Sequence, residues 1–312
     1  MTGAKENIMK IATTIGEMYP YAASPADAVR LYAGTGFRYL DYSFYNANRP
    51  GAAFLTDRWL EEVLAAGEAA AALGFAFVQA HSPNYNPFHD PSDTSYHEAG
   101  LLASKRSIEA CGRLGIPNIV VHTAYGPQCL YPADAEKYFR ANLPFIEALY
   151  PEMERWHVRV CIENSAEGNM GKNYFFMTAQ DMNDFIAFAG HPLLGACWDT
   201  GHGNMRGTDP YRELVTLGKN LYAVHFQDNG GTADEHTAPF FGTLNVDAVM
   251  RGLLDAGFTG PLTFEYDNFL PRRGTHGDDL LRFPPVRVKR AALSLLHEIG
   301  AACLDAYGIP ET

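Results

Sequence analysis

Disulfide spacing, membrane-length apolar runs and clustered positive charge are all missing from this chain. Its five cysteines, Cys111, Cys129, Cys161, Cys197 and Cys303, contain no Cys-x-x-Cys pair. A cysteine zinc ribbon and a dithiol redox motif are therefore excluded, and reduced, buried thiols are expected. No stretch approaches the roughly 20 apolar residues of a membrane span. The N-terminal MTGAKENIMKIATT lacks the apolar core of a secretion signal, so a cytoplasmic protein without a membrane partner is expected. Lys and Arg number 24 against 36 Asp and Glu, giving a net charge of −12. A nucleic-acid surface needs clustered Lys and Arg, so no nucleic-acid partner is expected. No Gly-rich strand-to-helix turn with a lysine stands out, which removes the usual phosphate cradle and gives no sign of an organic cofactor.

What remains is a regular alternation. The 312 residues are 47% hydrophobic, enough for one barrel of about 250 residues or more. Eight short apolar runs read as strands: IMKIATTI (8–15), FRYLDYS (37–43), FAFVQAH (75–81), NIVVHT (118–123), VRVCIEN (158–164), LGACWDT (194–200), YAVHFQD (222–228) and LTFEYD (262–267). Helical patterns follow them, at 24–36, 57–74, 95–115, 133–154, 178–189, 209–218, 245–257 and 285–308. Alternating strand and helix argues for a parallel sheet, and eight units favour closure into a single (β/α)8 TIM barrel over an open sheet. One domain, 1–312, is expected, with the segment from about 268 to 312 packing on the barrel or on a partner. Long polar loops at 82–94, 123–131, 164–177, 227–244 and 267–284 all follow strands, where binding walls and lids belong. Aromatic residues in them, Tyr85, Phe88, Tyr125, Tyr174, Phe175, Phe240 and Phe241, suit an apolar wall against a sugar face or an aglycone.

Nine polar residues stand at or just after strand ends or in the loops beyond: His81, His122, Glu163, Asp199, His202, His225, Asp234, His236 and Glu265. In a barrel of this kind the carboxyl ends of all strands face one mouth, where the active site is built. Glu163, Asp199, His225 and Glu265 offer three hard oxygen donors and one imidazole. That set suits one divalent ion, with Mn expected and Mg, Co or Zn as alternatives. Burying three carboxylates without a cation is costly, which argues against a purely structural role. Two of them on opposite sides of a bound sugar can also move a proton next to a carbonyl. His122 is a further acid–base candidate. His81, His202, Asp234, His236 and Glu167, which follows Glu163 by four, are candidates for substrate contact. Asp41 ends the second strand and needs no role beyond pairing with an arginine or the backbone.

The segments IEN around Glu163, WDTGH around Asp199 and His202, VHFQDNGGTADEH from His225 to His236, and FEYDN around Glu265 carry a resemblance. In them the chain resembles the xylose isomerase-like TIM-barrel superfamily of sugar isomerases and epimerases, to which endonuclease IV also belongs. The resemblance implies that Glu163, Asp199, His225 and Glu265 bind one divalent metal and that Glu163 and Glu265 form the acid–base pair. It implies substrate contact for His202 in isomerases and metal ligation in endonuclease IV. His81, His122, Asp234 and His236 match that enzyme's additional ligands, so all nine positions of a trinuclear zinc site are filled. The chain departs at APFFGTLN, where relatives carry a Gly-x-Gly turn.

The expected activity is a divalent-metal-dependent sugar isomerase or epimerase acting by proton abstraction next to a carbonyl. Two alternatives share the barrel. One is an oxo-sugar lyase or C-glycoside deglycosidase subunit that uses the same proton abstraction for β-elimination. The other is an endonuclease IV-like zinc phosphodiesterase, which the acidic balance opposes. A metal-stabilised sugar sensor without turnover stands last, because the core four keep every group the chemistry needs. The expected partner is a small sugar or glycoside. A homo-oligomer is expected, or a hetero-oligomer with a small subunit if the chain is a lyase.

Overall fold

The computed structural model describes residues 9–123, 134–166, 176–266, 269–270, 281 and 283–311. Eight parallel strands close on themselves in sequence order: β1 (Ile11–Thr14), β2 (Tyr39–Ser43), β3 (Ala76–His81), β4 (Asn118–Val121), β5 (Arg159–Glu163), β6 (Leu194–Asp199), β7 (Leu221–Phe226) and β8 (Leu262–Phe264). The sheet closes where Ile11 of β1 pairs with Leu262 of β8. This is a single (β/α)8 barrel.

The period-two alternation of a strand decides where each side chain goes. Ile119, Val121, Val160, Ile162, Ala196, Trp198, Val224 and Phe226 join the large apolar layer between sheet and helices. Val120, Cys161, Cys197 and Ala223, of the opposite parity, form a small separate cluster inside the barrel. Two residues further along the same four strands stand His122, Glu163, Asp199 and His225. Parity therefore stacks the polar residues directly on the barrel's inner core, at its carboxyl mouth. Of the cysteines, Cys111, Cys161, Cys197 and Cys303 are buried and free; Cys129 lies outside the described residues.

Local chemistry trims the elements that periodicity suggests. Strand one ends at Thr14 because its side chain caps a 3-10 helix, Ile15–Tyr21, by accepting from the Gly16 amide. The first helical pattern shortens to Pro25–Arg30, started by Ser24 and Pro25. The long pattern at 133–154 is two helices, Ala135–Glu147 and Tyr150–Trp156. Pro151 opens the second, where its missing N–H costs nothing. Strands β4 and β8 stop one residue before His122 and Glu265. A short helix, Thr200–Met205, follows β6 directly and has no counterpart in the sequence pattern.

The final helix, Val286–Ala306, packs across β1 and β8. Its buried Lys289 meets Glu17 at 2.6 Å, and Gly300 lies flat on Ile11 and Phe264. A Cβ at Gly300 would sit 2.9 Å from Ile11 Cγ2 and 3.0 Å from Phe264 Cε2. Gly300→Val is thus expected to destabilise the protein by about 1–3 kcal/mol through overpacking. The check is the urea midpoint, and an unchanged midpoint would mean that the helix does not dock there tightly. No helix of the described residues is long and apolar enough to cross a membrane.

Candidate active site

The nine strand-end and loop residues converge. Eight of them line one cavity of about 730 Å³ at the barrel mouth; Asp199 lies buried beneath it. Their donor atoms fall into three groups, each within 4.8 Å: His81, His122 and Glu163; Glu163, Asp199, His225 and Glu265; His202, Asp234 and His236. Glu163, 3% exposed, belongs to two of them.

His225 Nδ1 stands 2.8 Å from Glu163 Oε1 and 3.1 Å from Glu265 Oε2. Burial alone would lower this imidazole, but Cys197, Glu265 and Glu163 outweigh it and hold the ring well above its ordinary value. Burial would raise Glu163, yet His225 and His122 keep it well below the carboxylate range. The same balance, with His225 and His236 opposing burial, brings Glu265 down to about 2. Asp199 is fully buried, and desolvation pushes it up to about 6 although His202 pulls the other way. An imidazole facing two carboxylates, with a third buried beside them, could hold one cation. The donor set fits a hard or borderline divalent ion.

On one flank, His122 Nε2 lies 2.9 Å from Glu163 Oε2 and 3.1 Å from His81 Nε2. Burial and the neighbouring His122 lower His81 to about 4, so its ring is a neutral donor or ligand. On the other flank, Asp234 Oδ1 stands 2.9 Å from His236 Nε2 and 3.4 Å from His202 Nε2. Burial would raise Asp234, but hydrogen bonds from His202 and His236 hold it far below the usual range. Burial opposes charge on His202 as well, but Asp199 and Asp234 raise it to about 10. His236 reaches its position with φ 45°, a left-handed conformation uncommon outside glycine.

Four residues that sequence reasoning passed over hold this set in place. Asn164 accepts from the Asp199 amide at 2.6 Å and donates to the Asp199 carbonyl at 3.0 Å. Its own carbonyl stands 2.9 Å from His202 Nδ1. The buried Gln227 amide donates to both Asp199 oxygens at 3.1 and 3.2 Å. Asp228, fully buried, accepts from the amides of Asn229, Gly242 and Leu244. With the Asp228–Thr237 bridge it ties down the loop that carries Asp234 and His236. The divergent APFFGTLN stretch is the far arm of that tie. Asn229 donates to the Gly201 carbonyl, joining the loop to the helix after β6. The available signal was a polar residue close behind a candidate ligand, Asn164 directly after Glu163 and the run Gln227, Asp228 and Asn229 starting two residues after His225.

The aromatic wall differs from expectation. Tyr19, Tyr45, Tyr96 and Phe264 line the cavity, whereas Tyr85, Phe88, Phe240 and Phe241 do not. Phe240 is 65% exposed with φ 74°, so it belongs to the outer surface of its loop. Tyr125, Tyr174, Phe175 and the candidate Glu167 lie outside the described residues.

A protein from Sinorhizobium fredii, uncharacterized protein y4fM, is 26% identical over 191 residues. The match covers 61% of this chain and 58% of that protein's own length. Among solved structures, a D-tagatose 3-epimerase-like protein superposes with a TM-score of 0.71 at 18% identity, covering 96% of this chain and 98% of its own. The 3-keto-D-glucoside 4-epimerase YcjR from E. coli does so with a TM-score of 0.68 at 18% identity, covering 93% and 99%. These likenesses agree with the closed barrel. The family model described as xylose isomerase-like TIM barrel matches residues 29–284, which include all nine converging residues, and the chain belongs to that family.

Proposed function

We propose that the protein is a divalent-metal-dependent isomerase or epimerase of a sugar, working by proton transfer at the carbon beside a carbonyl. One observation carries this reading: Glu163 and Glu265 flank His225 at the floor of a large polar cavity, both held as carboxylates. Glu163, Asp199, His225 and Glu265 would hold the ion. When bound, it polarises the carbonyl oxygen and lowers the barrier to losing the adjacent proton. One of the two glutamates takes that proton as its carboxylate, and the C–H electron pair moves into the carbonyl. The other glutamate, also a carboxylate at the start, takes a proton from solvent and returns it to the opposite face or to the neighbouring carbon, while the first releases the proton it took to solvent. His122, 2.9 Å from Glu163, is placed to stabilise its carboxylate form and to relay its proton. His81, His202, Asp234 and His236 stand around the rim, where they would meet substrate hydroxyls. The epimerase names of two structural neighbours support the same class of reaction.

Proton exchange is the direct test. Candidate ketoses incubated in D₂O with the metal-loaded protein are expected to gain deuterium beside the carbonyl, read by NMR. Exchange retained in both Glu163→Gln and Glu265→Gln would sink the two-carboxylate mechanism. Loss of an aglycone from a 3-oxo-glucoside, rather than a new isomer, would read β-elimination by the same first step.

The three ligand groups favour a second reading, a phosphodiesterase. The nine side chains would then hold as many as three ions around a phosphate. Cleavage of an abasic-site duplex would support it.

Asp199 also offers a test of positioning. A Cβ at Gly201 would lie 2.1 Å from Gln227 Oε1, so Gly201→Ala must displace the amide that holds both Asp199 oxygens. Metal affinity is expected to fall about 10- to 100-fold, the usual cost of losing a partner that orients a ligand. Calorimetric titration of the apoprotein with Mn²⁺ checks this, and unchanged affinity would mean that Gln227 does not hold Asp199 for the ion.

A further inference from the structure

Below the ring of glutamates and histidines, the barrel interior carries polar groups that the protein does not satisfy. Asp41 of β2 is 1% exposed; its oxygens make no hydrogen bond of good geometry, with the Gln79 amide the side-chain donor beside them, and burial pushes the carboxyl up to about 7. Gln79, its register partner on β3, is fully buried with neither amide atom in a hydrogen bond of good geometry. Thr263 of β8 is buried with an unmatched hydroxyl. In the barrel only β1 stands between β8 and β2, so these three side chains form one patch under one side of the mouth. Asp41 and Thr263 line the cavity, and Thr14 of the intervening strand lines it with them.

A buried carboxyl group whose oxygens are poorly matched is costly to keep unless a ligand supplies the missing partners. Hydroxyl groups do so, and they also suit Thr263, which both donates and accepts. A phosphate has no donors to give. It would meet Asp41, Glu163 and Glu265, whereas Arg49 is the single Lys or Arg lining the cavity among the described residues. We infer that Asp41, with Thr263 beside it and Gln79 behind it, is a subsite for the hydroxyl-bearing, unphosphorylated end of a polyol chain, and that Asp41 is a specificity-determining residue. The inference deepens the proposed function by naming the substrate class, and it rests on that reading for the carbonyl end of the ligand only.

The test uses metal-loaded protein and direct calorimetric binding of D-fructose, D-tagatose and D-psicose, their 6-deoxy and 1-deoxy analogues, and their 6-phosphates. At least one ketohexose is expected to bind. One deoxy analogue and the phosphate ester should bind it about 10- to 100-fold more weakly, the range for a hydrogen bond to a charged group. Asp41→Ala should weaken the ketohexose by the same factor and leave that deoxy analogue unchanged. Asp41→Asn controls for folding. A ligand-binding carboxylate that is unpaired in the free protein should leave the melting temperature of the sugar-free protein unchanged or higher in this variant. A lower melting temperature would assign Asp41 a structural role and overturn the inference. So would absent ketohexose binding, tighter binding of the phosphate ester, or equal losses for hydroxylated and deoxy sugars. Binding that follows this pattern without proton exchange would leave the subsite standing while the isomerase reading fails. Exchange that is indifferent to Asp41 would do the reverse.

Discussion

Glu163→Gln is expected to lower deuterium exchange by about three to four orders of magnitude, the upper range for removing a general acid or base. The substitution keeps volume and shape but removes the charge. Glu163 is the shared member of two ligand groups and lies within 3 Å of both His122 and His225. An uncharged amide there would leave His225, raised by its carboxylate neighbours, with Glu265 alone. Both the proton acceptor and part of the metal site are then lost together. Glu265→Gln should cost nearly as much, since Glu265 faces the same His225 nitrogen at 3.1 Å. His81→Ala should cost far less, about tenfold, because His81 meets the core four through a 3.9 Å approach to Glu163 and a stacking contact with the His225 ring, without a close polar contact to either. The rates are read by NMR against the unaltered protein. A ranking in which His81→Ala is the most damaging would move the chemistry to the His81–His122 flank.

That ranking follows from what strand periodicity makes legible. Cys161, Cys197 and Ala223 point into the barrel, so Glu163, Asp199 and His225, two residues on, must point to its mouth. The sequence rule for parallel barrels then says that the mouth is the active face. Local rules do not carry further. Asp228 and Asn229 work through backbone amides of a loop that the strand pattern leaves formless. Gln227 acts on Asp199 across two strands, a contact no spacing predicts. Asp41 reads as an ordinary strand-end carboxylate until the barrel closes over it, with the Gln79 amide as its neighbouring side-chain donor. His122 and Glu265 were legible as site residues, yet both stand just past their strands, where the last ladder hydrogen bonds give way to the loop. The helix at 133–154 failed for a different reason: an amphipathic stripe continues through Pro151, but its backbone cannot donate there.

Chelation is expected to lower the melting temperature by about 5–10 °C. Ion at a thousandfold excess over its dissociation constant contributes about 4 kcal/mol, and domains of this size shift by a few degrees per kcal/mol. The direction follows from the cluster itself. Glu163, Asp199 and Glu265 repel one another, and burial pushes Asp199 up to about 6 although His202 and His236 oppose it and Gln227 donates to both of its oxygens. The ion count decides between the two readings of the site. About one equivalent, lost in Glu265→Gln and kept in His81→Ala and His236→Ala, is the result that one-metal proton transfer requires. Two or three zinc equivalents that fall with His81→Ala or His236→Ala would mean that the flanking groups are ligands. His81 is neutral at about 4 and His122 sits beside it, so that flank binds an ion without first losing a proton from His81. The Asp234 flank differs, because His202, raised to about 10, must give up its proton before it ligates. An ion count that rises stepwise with pH would therefore place the last ion at His202, Asp234 and His236, and phosphoesters would then be the substrates to test first.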